Sequence, residues 1–409
     1  MEKSILYLFT AEYPFGNAET FIEPELEKLS LEFDKVVIFP YAYFQLDSTP
    51  RRIPQNCEIR NFEKAKGNKL RLLQNNSLVF SMIKGCWKER PIKEKKNLLH
   101  EIANYLSIKD QLKNFIEMDE QKGSHITFYS YWFDHWASIL SILKREHKLA
   151  SFSSRAHGYD VYDDRHLYSI PFRSFQMKYV SKVFTISESG SKYLKSRFPN
   201  SIGKIHRSYL GTKEPNIKSR VKNNEFLVVL SVSSLHPVKR VHLLMDSLKL
   251  VKRKVHWIHF GNEEMDQNIQ SKVKELPDNV LMDWKGVVSN SDLRTFLDNN
   301  WIDVFVNVSE SEGLPVSMME AISYGIPILA TDVGGTSEIV NPLTGKLLPK
   351  DFDVSILAQL IQDFERNEFD SEKIQSFWNS NFNAEINFPE FARLLKFENH
   401  PHSNRAELD

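Results

Sequence analysis

The stretch from Ser309 to Val340, SESEGLPVSMMEAISYGIPILATDVGGTSEIV, concentrates the residues best suited to chemistry. An apolar run ending at Val308 reads as a strand. After it Glu312 and Gly313 fall in a loop, Pro315 opens a helix, and Glu320 falls in that helix's second turn. Ligands of doubly wound domains sit at such strand C-termini. Gly313 lets the backbone approach a ligand closely, and the helix start offers amides to an anion such as a diphosphate. Two carboxylates about two helical turns apart can each accept hydrogen bonds from a pair of vicinal hydroxyls, which sugars present. Isolated glutamates are more often loop decoration or a solvated helix face; the strand, glycine and helix around this pair favour the sugar-binding reading.

These residues resemble glycosyltransferase family 4, the large retaining group of the GT-B fold. Its E-x7-E signature matches Glu312 and Glu320, followed by the Gly-Ile-Pro turn at Gly325 to Pro327 and the GG-x-x-E segment Gly334, Gly335 and Glu338. The match covers most of the second half of the chain and scattered points of the first. It implies that Glu312 contacts hydroxyls of the donor hexose, with backbone groups at Gly313 and Leu314 near the sugar and phosphate. Glu320 would hold the ribose hydroxyls, and Glu338 with the glycines before it would shape the same pocket.

Three further segments resemble the family. SVSSLHPVKRVHLLMDSL at 231–248 stands where an arginine and, five residues on, a lysine commonly grip the diphosphate. Here Ser234 and Lys239 take those places, and Arg240 beside Lys239 would restore the missing cation. Two cations at a helix start are poorly placed on dipole grounds unless an anion binds there. SSRAHGYDVYDD at 153–164 resembles the HG-x-D loop, which sets His157 against the donor sugar. YPFGNAETFIEPELEKL resembles the first loop and helix, with Gly16 close to phosphate or acceptor, Asn17 where a second glycine is usual, and Glu19 as the helix's glutamate. YSYWFDHW at 129–136 reads either as an acceptor wall or as core aromatics. The implied catalytic residues are His157, Lys239 and Glu312. Donor binding falls to Gly16, Ser234, Arg240, Gly313, Leu314, Glu320 and Glu338. The implied reaction is a front-face substitution in which Lys239, Arg240 and helix amides meet the charge on the leaving diphosphate, without metal or cofactor.

Elements that would position these residues alternate along the whole chain, short apolar runs with helical patterns, as expected of parallel sheets flanked by helices. Strands are expected at 4–9, 35–39, 126–129, 150–156, 182–187 and 204–209, and again at 226–232, 255–260, 280–285, 303–307 and 327–331. The polar, aperiodic stretch Gly211 to Glu225 reads as a linker. The expected fold is α/β, GT-B, with two Rossmann-like domains facing across a cleft. Residues 1–212 form the acceptor-side domain, 213–380 the nucleotide-sugar domain, and 381–409 a C-terminal helix returning to the first domain, then a tail. A basic insertion at about 60–120 interleaves Arg60, Lys64, Lys66, Lys69, Arg71, Lys84, Lys88, Arg90, Lys93, Lys95 and Lys96 with Leu72, Leu73, Leu78, Val79, Phe80, Met82, Ile83 and Trp87, opposed by Glu63, Glu89 and Glu94. Such a helix suits an anionic lipid surface as well as it suits a solvated face packing its apolar side inward.

At 409 residues the chain exceeds one usual core, and 41% hydrophobic with 26% charged residues is the composition of a folded enzyme. Net charge is zero, so nucleic acid is not indicated. The two cysteines, Cys57 and Cys86, fit a reducing compartment, and no apolar run reaches a membrane span. The expectation is a cytoplasmic protein, at the inner membrane face if the insertion meets lipid. A Rossmann oxidoreductase lacks its G-x-G-x-x-G turn here. Asp351-Phe-Asp353 has the letters of a GT-A metal motif, which a helix N-cap explains more simply. A GT-B epimerase, and a non-catalytic sugar-nucleotide-binding subunit, remain as alternatives; the base, sugar, acceptor and oligomeric state are not readable.

Overall fold

The computed structural model describes residues 3–16, 19–41, 49–63, 69–88, 90–218, 220–222, 225–261 and 267–398. Asn17, Lys64, Lys66, Glu89 and the tail from 399 lie outside the described residues. The chain divides into Met1–Ser208 with Phe388–Asp409, and Tyr209–Asn387.

The first unit holds β1 (Lys3–Thr10), β2 (Lys35–Pro40), β3 (Cys57–Ile59), β4 (Ser124–Ser130), β5 (Ser153–Ala156), β6 (Lys182–Thr185) and β7 (Ile205–Arg207). They form one sheet in the order β3-β2-β1-β4-β5-β6-β7, each pairing parallel. The second unit holds β8 (Leu227–Val232), β9 (Val255–Phe260), β10 (Val280–Trp284), β11 (Val304–Asn307), β12 (Ile328–Thr331) and β13 (Gly345–Leu348). Their order is β10-β9-β8-β11-β12-β13, again all parallel. Strands buried on both faces read as unbroken apolar runs, and the interior of β1, ILYLF, is buried throughout. Each strand expected from such a run is present; β3 and β13 were not expected, because both are short edge strands carrying a charge, Glu58 and Lys346.

In both sheets the strand order reverses beside the unit's first strand, between β1 and β4 and between β8 and β11. At such a switch point the loops leaving the two strands part to opposite faces and open a crevice. The loops after β8 and β11 carry Lys239 and Glu312, and those after β1 and β4 carry Glu19 and Trp132.

The insertion folds as helices Lys69–Gln74, Asn76–Ile83 and Ile92–Glu120. The long helix buries Leu98, Ile102, Leu106, Leu112 and Ile116, and the middle one Leu78, Val79 and Met82, in the core around β1 and β4. Arg60 docks the long helix through Asp119, which also accepts from the Tyr7 hydroxyl at 2.6 Å. Under the other face of the sheet, Arg155 and Glu25 form a fully buried pair at 3.0 Å. Tyr129 donates to Glu25, and Phe391 of the C-terminal helix stacks on the Arg155 guanidinium. Loss of one member would leave a buried charge uncompensated, so the pair fixes this corner strongly.

Candidate functional site

Lys239 closes a short turn, Pro237–Lys239, that leads from the end of β8 into the helix Val241–Leu248. Its ammonium donates to Glu312 Oε1 at 2.7 Å. Glu312 is held from the strand side too. Asn307, the last residue of β11, donates to the same oxygen at 3.3 Å, while its own Oδ1 accepts from the Ser309 amide at 2.9 Å. A buried carboxylate facing an ammonium and an amide is a preorganised acceptor with a cation beside it. Sequence reasoning passed over Asn307; an asparagine ending an apolar strand was the available signal.

Glu320 lies in the helix Val316–Ser323, which Pro315 precedes as N-cap. Its desolvated surroundings push the carboxyl up to about 7, with the Arg294 charge pulling the other way. Leu314 is buried under the loop, and Gly313 O accepts from the Gly335 amide at 2.8 Å. Gly334 adopts φ 57°, and a Cβ there would stand 1.9 Å from Glu312 O. The double glycine is thus a backbone contact against the Glu312 loop, beyond a simple turn requirement. Glu338 accepts from the Tyr209 hydroxyl at 2.9 Å.

Arg240, expected to face the diphosphate, turns its guanidinium to backbone carbonyls. Its Nε donates to Val308 O at 2.8 Å, and its Nη2 to Ser309 O at 3.1 Å and Lys350 O at 2.9 Å. A guanidinium engaged with three carbonyls is poorly free to neutralise a diphosphate. Ser234 is exposed, and Lys239 stands beside the carboxylate of Glu312. Asp353 of the Asp-Phe-Asp motif caps the helix Val354–Gln362 through the Ser355 amide. Among the described residues no group of three or more His, Cys, Asp or Glu is placed to hold a metal ion.

In the first unit His157 follows β5. Its amide donates to Asp160 Oδ1 at 2.5 Å, and Asp160 Oδ2 accepts from the Phe133 amide, joining the β4 and β5 loops. The imidazole is buried against Trp132, 4.3 Å between ring centres, and Tyr131, 5.0 Å, and neither ring nitrogen has a hydrogen-bond partner among the described residues. Of the 129–136 aromatics, Tyr129, Tyr131, Phe133 and Trp136 are core, whereas Trp132 is half-buried. Gly16 takes φ 61°. The amides preceding it, at Glu12 and Tyr13, each donate to Glu19 Oε2 at 2.6 Å, and Glu19 Oε1 accepts from the Ala11 amide and the Trp132 indole. The Glu19 carboxylate therefore takes up the amides of the loop after β1, just ahead of Gly16.

Across 97% of its length the chain superposes on the lipopolysaccharide outer core galactosyltransferase WaaB, with TM-score 0.65 and 15% identity, covering 99% of that chain. The Anabaena protein HepE, solved in complex with UDP-glucose, gives TM-score 0.61 at 14% identity over 97% of this chain and 100% of the other. The fold is thus α/β of the GT-B class. Among curated relatives, the chain is 24% identical over 189 residues to a putative colanic acid biosynthesis glycosyltransferase, WcaL, of Escherichia coli, which is 42% of this chain and 45% of that protein. It is 21% identical over 196 residues to the amylovoran biosynthesis glycosyltransferase AmsK of Erwinia amylovora, 44% of this chain and 47% of the other. The aligned stretches span under half the length of these relatives. Residues 212–379, which carry Lys239, Glu312, Glu320 and Glu338, match the family model of glycosyl transferases group 1.

Proposed function

We propose that the chain is a retaining family 4 glycosyltransferase. It moves a hexose from a nucleotide-diphosphate sugar to a glycan or lipid-linked acceptor in surface or exopolysaccharide biosynthesis. The observation that carries this reading is the Lys239–Glu312 pair at the switch point of the second sheet, with Glu320 on the following helix. A cation beside one carboxylate, and a second carboxylate two turns on, match the charge and hydroxyl pattern of such a donor. The colanic acid and amylovoran biosynthesis roles of WcaL and AmsK, and the UDP-glucose in the HepE complex, support it.

In this reading the donor takes over both halves of the resting pair. The hexose hydroxyls donate to Glu312, and the Lys239 ammonium turns to the diphosphate, whose charge grows as the glycosidic bond breaks. The acceptor hydroxyl attacks from the face the diphosphate leaves and gives its proton to the departing diphosphate oxygen, so configuration is retained. Glu320 accepts from the ribose hydroxyls. No metal enters the scheme.

Nucleotide-sugars screened by thermal shift, followed by turnover with an acceptor panel, test the reading. A ligand at a hundred times its Kd stabilises by about 2.7 kcal/mol. Stabilisation with transfer is expected; stabilisation without transfer would favour a non-catalytic binding subunit, and neither would overturn both.

Peripheral membrane contact is a second reading, and the insertion supports it. Leu70, Leu73 and Phe80 are 62%, 74% and 64% exposed, near in sequence to the exposed Lys84, Lys88, Lys93 and Lys96. No described helix is long and apolar enough to cross a membrane. Each cation near an anionic surface contributes about 1 kcal/mol, so salt-sensitive co-sedimentation with anionic and not neutral liposomes is expected. Equal partitioning onto both, or onto neither, would sink it.

A further inference from the structure

We propose that Arg240 is a positioning residue that sets the Glu312 loop against Lys239, and that it carries no charge role toward the diphosphate. This inference rests on the donor-site reading above.

The backbone at Arg240 has φ 48° and ψ 35°, in the left-handed region that disfavours a residue with a Cβ. That conformation lets its amide bond Pro237 O at 3.1 Å while its carbonyl accepts from the Leu243 amide at 2.8 Å, so the residue joins the Lys239 turn to the next helix. It also throws the side chain across to β11. There the guanidinium fork holds Val308 O, Ser309 O and Lys350 O, with Nη1 at 4.0 Å from the exposed carboxylate of Asp351. Planar, spaced donors suit three fixed carbonyls in a way a point-charge ammonium cannot.

The loop it grips has other ties. The Glu310 amide donates to Val238 O at 2.7 Å, and the Thr331 hydroxyl to Ser309 O at 2.5 Å. Val238 and Arg240 flank Lys239, so three bonds run from that turn to the strand end and loop just before Glu312, one at Val238 and two from Arg240. The distance between ammonium and carboxylate is therefore held by backbone on both sides, and Arg240 supplies the larger share from the β8 side. A displacement of about 1 Å at a reacting centre can cost a hundredfold in rate, which is the scale on which this clamp matters.

The test uses the 409-residue chain and four variants: Arg240→Ala, Arg240→Lys, Arg240→Gly, and Ser234→Arg in the Arg240→Ala background. Arg240→Ala is expected to lose roughly ten- to a hundredfold in kcat with donor KM within about threefold. Arg240→Lys should recover no more than about twofold of that loss, because the charge returns without the fork. Ser234→Arg should not rescue. Arg240→Gly, free of the backbone strain, should melt above Arg240→Ala yet be equally slow, which separates stability from rate. Hydrogen exchange provides a readout independent of turnover: the Glu310, Ser311 and Glu312 amides should exchange faster in Arg240→Ala while those of β11 are unchanged. Full kcat in Arg240→Lys, or rescue by Ser234→Arg, would show a diphosphate cation and overturn the proposal, as would unchanged loop exchange. If the wild type neither binds nor transfers any nucleotide-sugar, the functional reading fails and loop exchange still decides the clamp.

Discussion

The Lys239 ammonium and the Glu312 carboxylate are paired at 2.7 Å, although 73 residues separate them in sequence. The contact arises because β8 and β11 are neighbours at the point where the strand order reverses. It makes the two residues one unit, so neither substitution acts alone.

Lys239→Ala is expected to lose about a hundredfold or more in kcat while remaining folded, since a preorganised stabiliser of developing charge is removed. Glu312→Ala should also lower kcat, yet it frees Lys239 from its resting partner. Binding of the bare nucleoside diphosphate should then be retained or tightened, and titration calorimetry reads this directly. Weaker diphosphate binding in Glu312→Ala than in Lys239→Ala would contradict the assigned division of labour.

Glu320 gives the site a pH signature. Desolvation raises its carboxyl to about 7 from the ordinary 4.5, against the pull of Arg294. The folded state therefore keeps a proton that the unfolded chain releases. Stability from this group is fully present below about 4.5 and is lost as pH rises through about 7. Donor binding runs the opposite way, because the ionised carboxylate is the better acceptor for ribose hydroxyls. Donor KM should fall between about pH 6 and about pH 8 in the wild type and stay flat in Glu320→Gln. A parallel slope in both proteins would remove Glu320 from the donor site.

Gly334→Ala should damage the site from behind. The new methyl would meet Glu312 O at 1.9 Å, and φ 57° itself costs a non-glycine roughly 1–2 kcal/mol. Relief requires the Glu312 loop to move, so kcat should fall well beyond what the loss in melting temperature accounts for. Wild-type kinetics in Gly334→Ala would mean that the loop tolerates displacement, and with it that the Lys239–Glu312 distance is not critical.

What the sequence disclosed follows from what is local. Parallel strands are apolar runs, and the spacing of Glu312 and Glu320 with the proline between them is set by one loop and one helix. Relationships across the sheet were out of reach. Nothing in VKRV says that the lysine meets Glu312 while its neighbour turns to the carbonyls of Val308 and Ser309. The arginine had to be placed at positive φ before its direction could be known. Likewise the run YSYWFDHW could not be ranked, because which aromatic stays at the surface depends on a residue far upstream, Glu19, accepting from the Trp132 indole.

That last contact yields the final prediction. Glu19 is buried, and its carboxylate accepts from the amides of Ala11, Glu12 and Tyr13 as well as from Trp132. Four donors converge on two oxygens, which is the capacity of a carboxylate. In Glu19→Ala the donors lose their acceptor, and each one left buried and unpaired costs about 1–3 kcal/mol. Water reaching the Ala11 and Glu12 amides offsets part of this, so a net loss of about 2–4 kcal/mol is expected. In a unit of this size that lowers the melting temperature by roughly 5–15 °C. Glu19→Gln retains one acceptor oxygen but turns an NH2 group toward the remaining donors, so it should recover less than half of the loss. Scanning calorimetry measures the shift, and Trp132 fluorescence reports whether the indole comes free. A melting temperature within about 1 °C of wild type in Glu19→Ala would mean that the amides after β1 are satisfied without the carboxylate, and that an external anion can take the place assigned to Glu19.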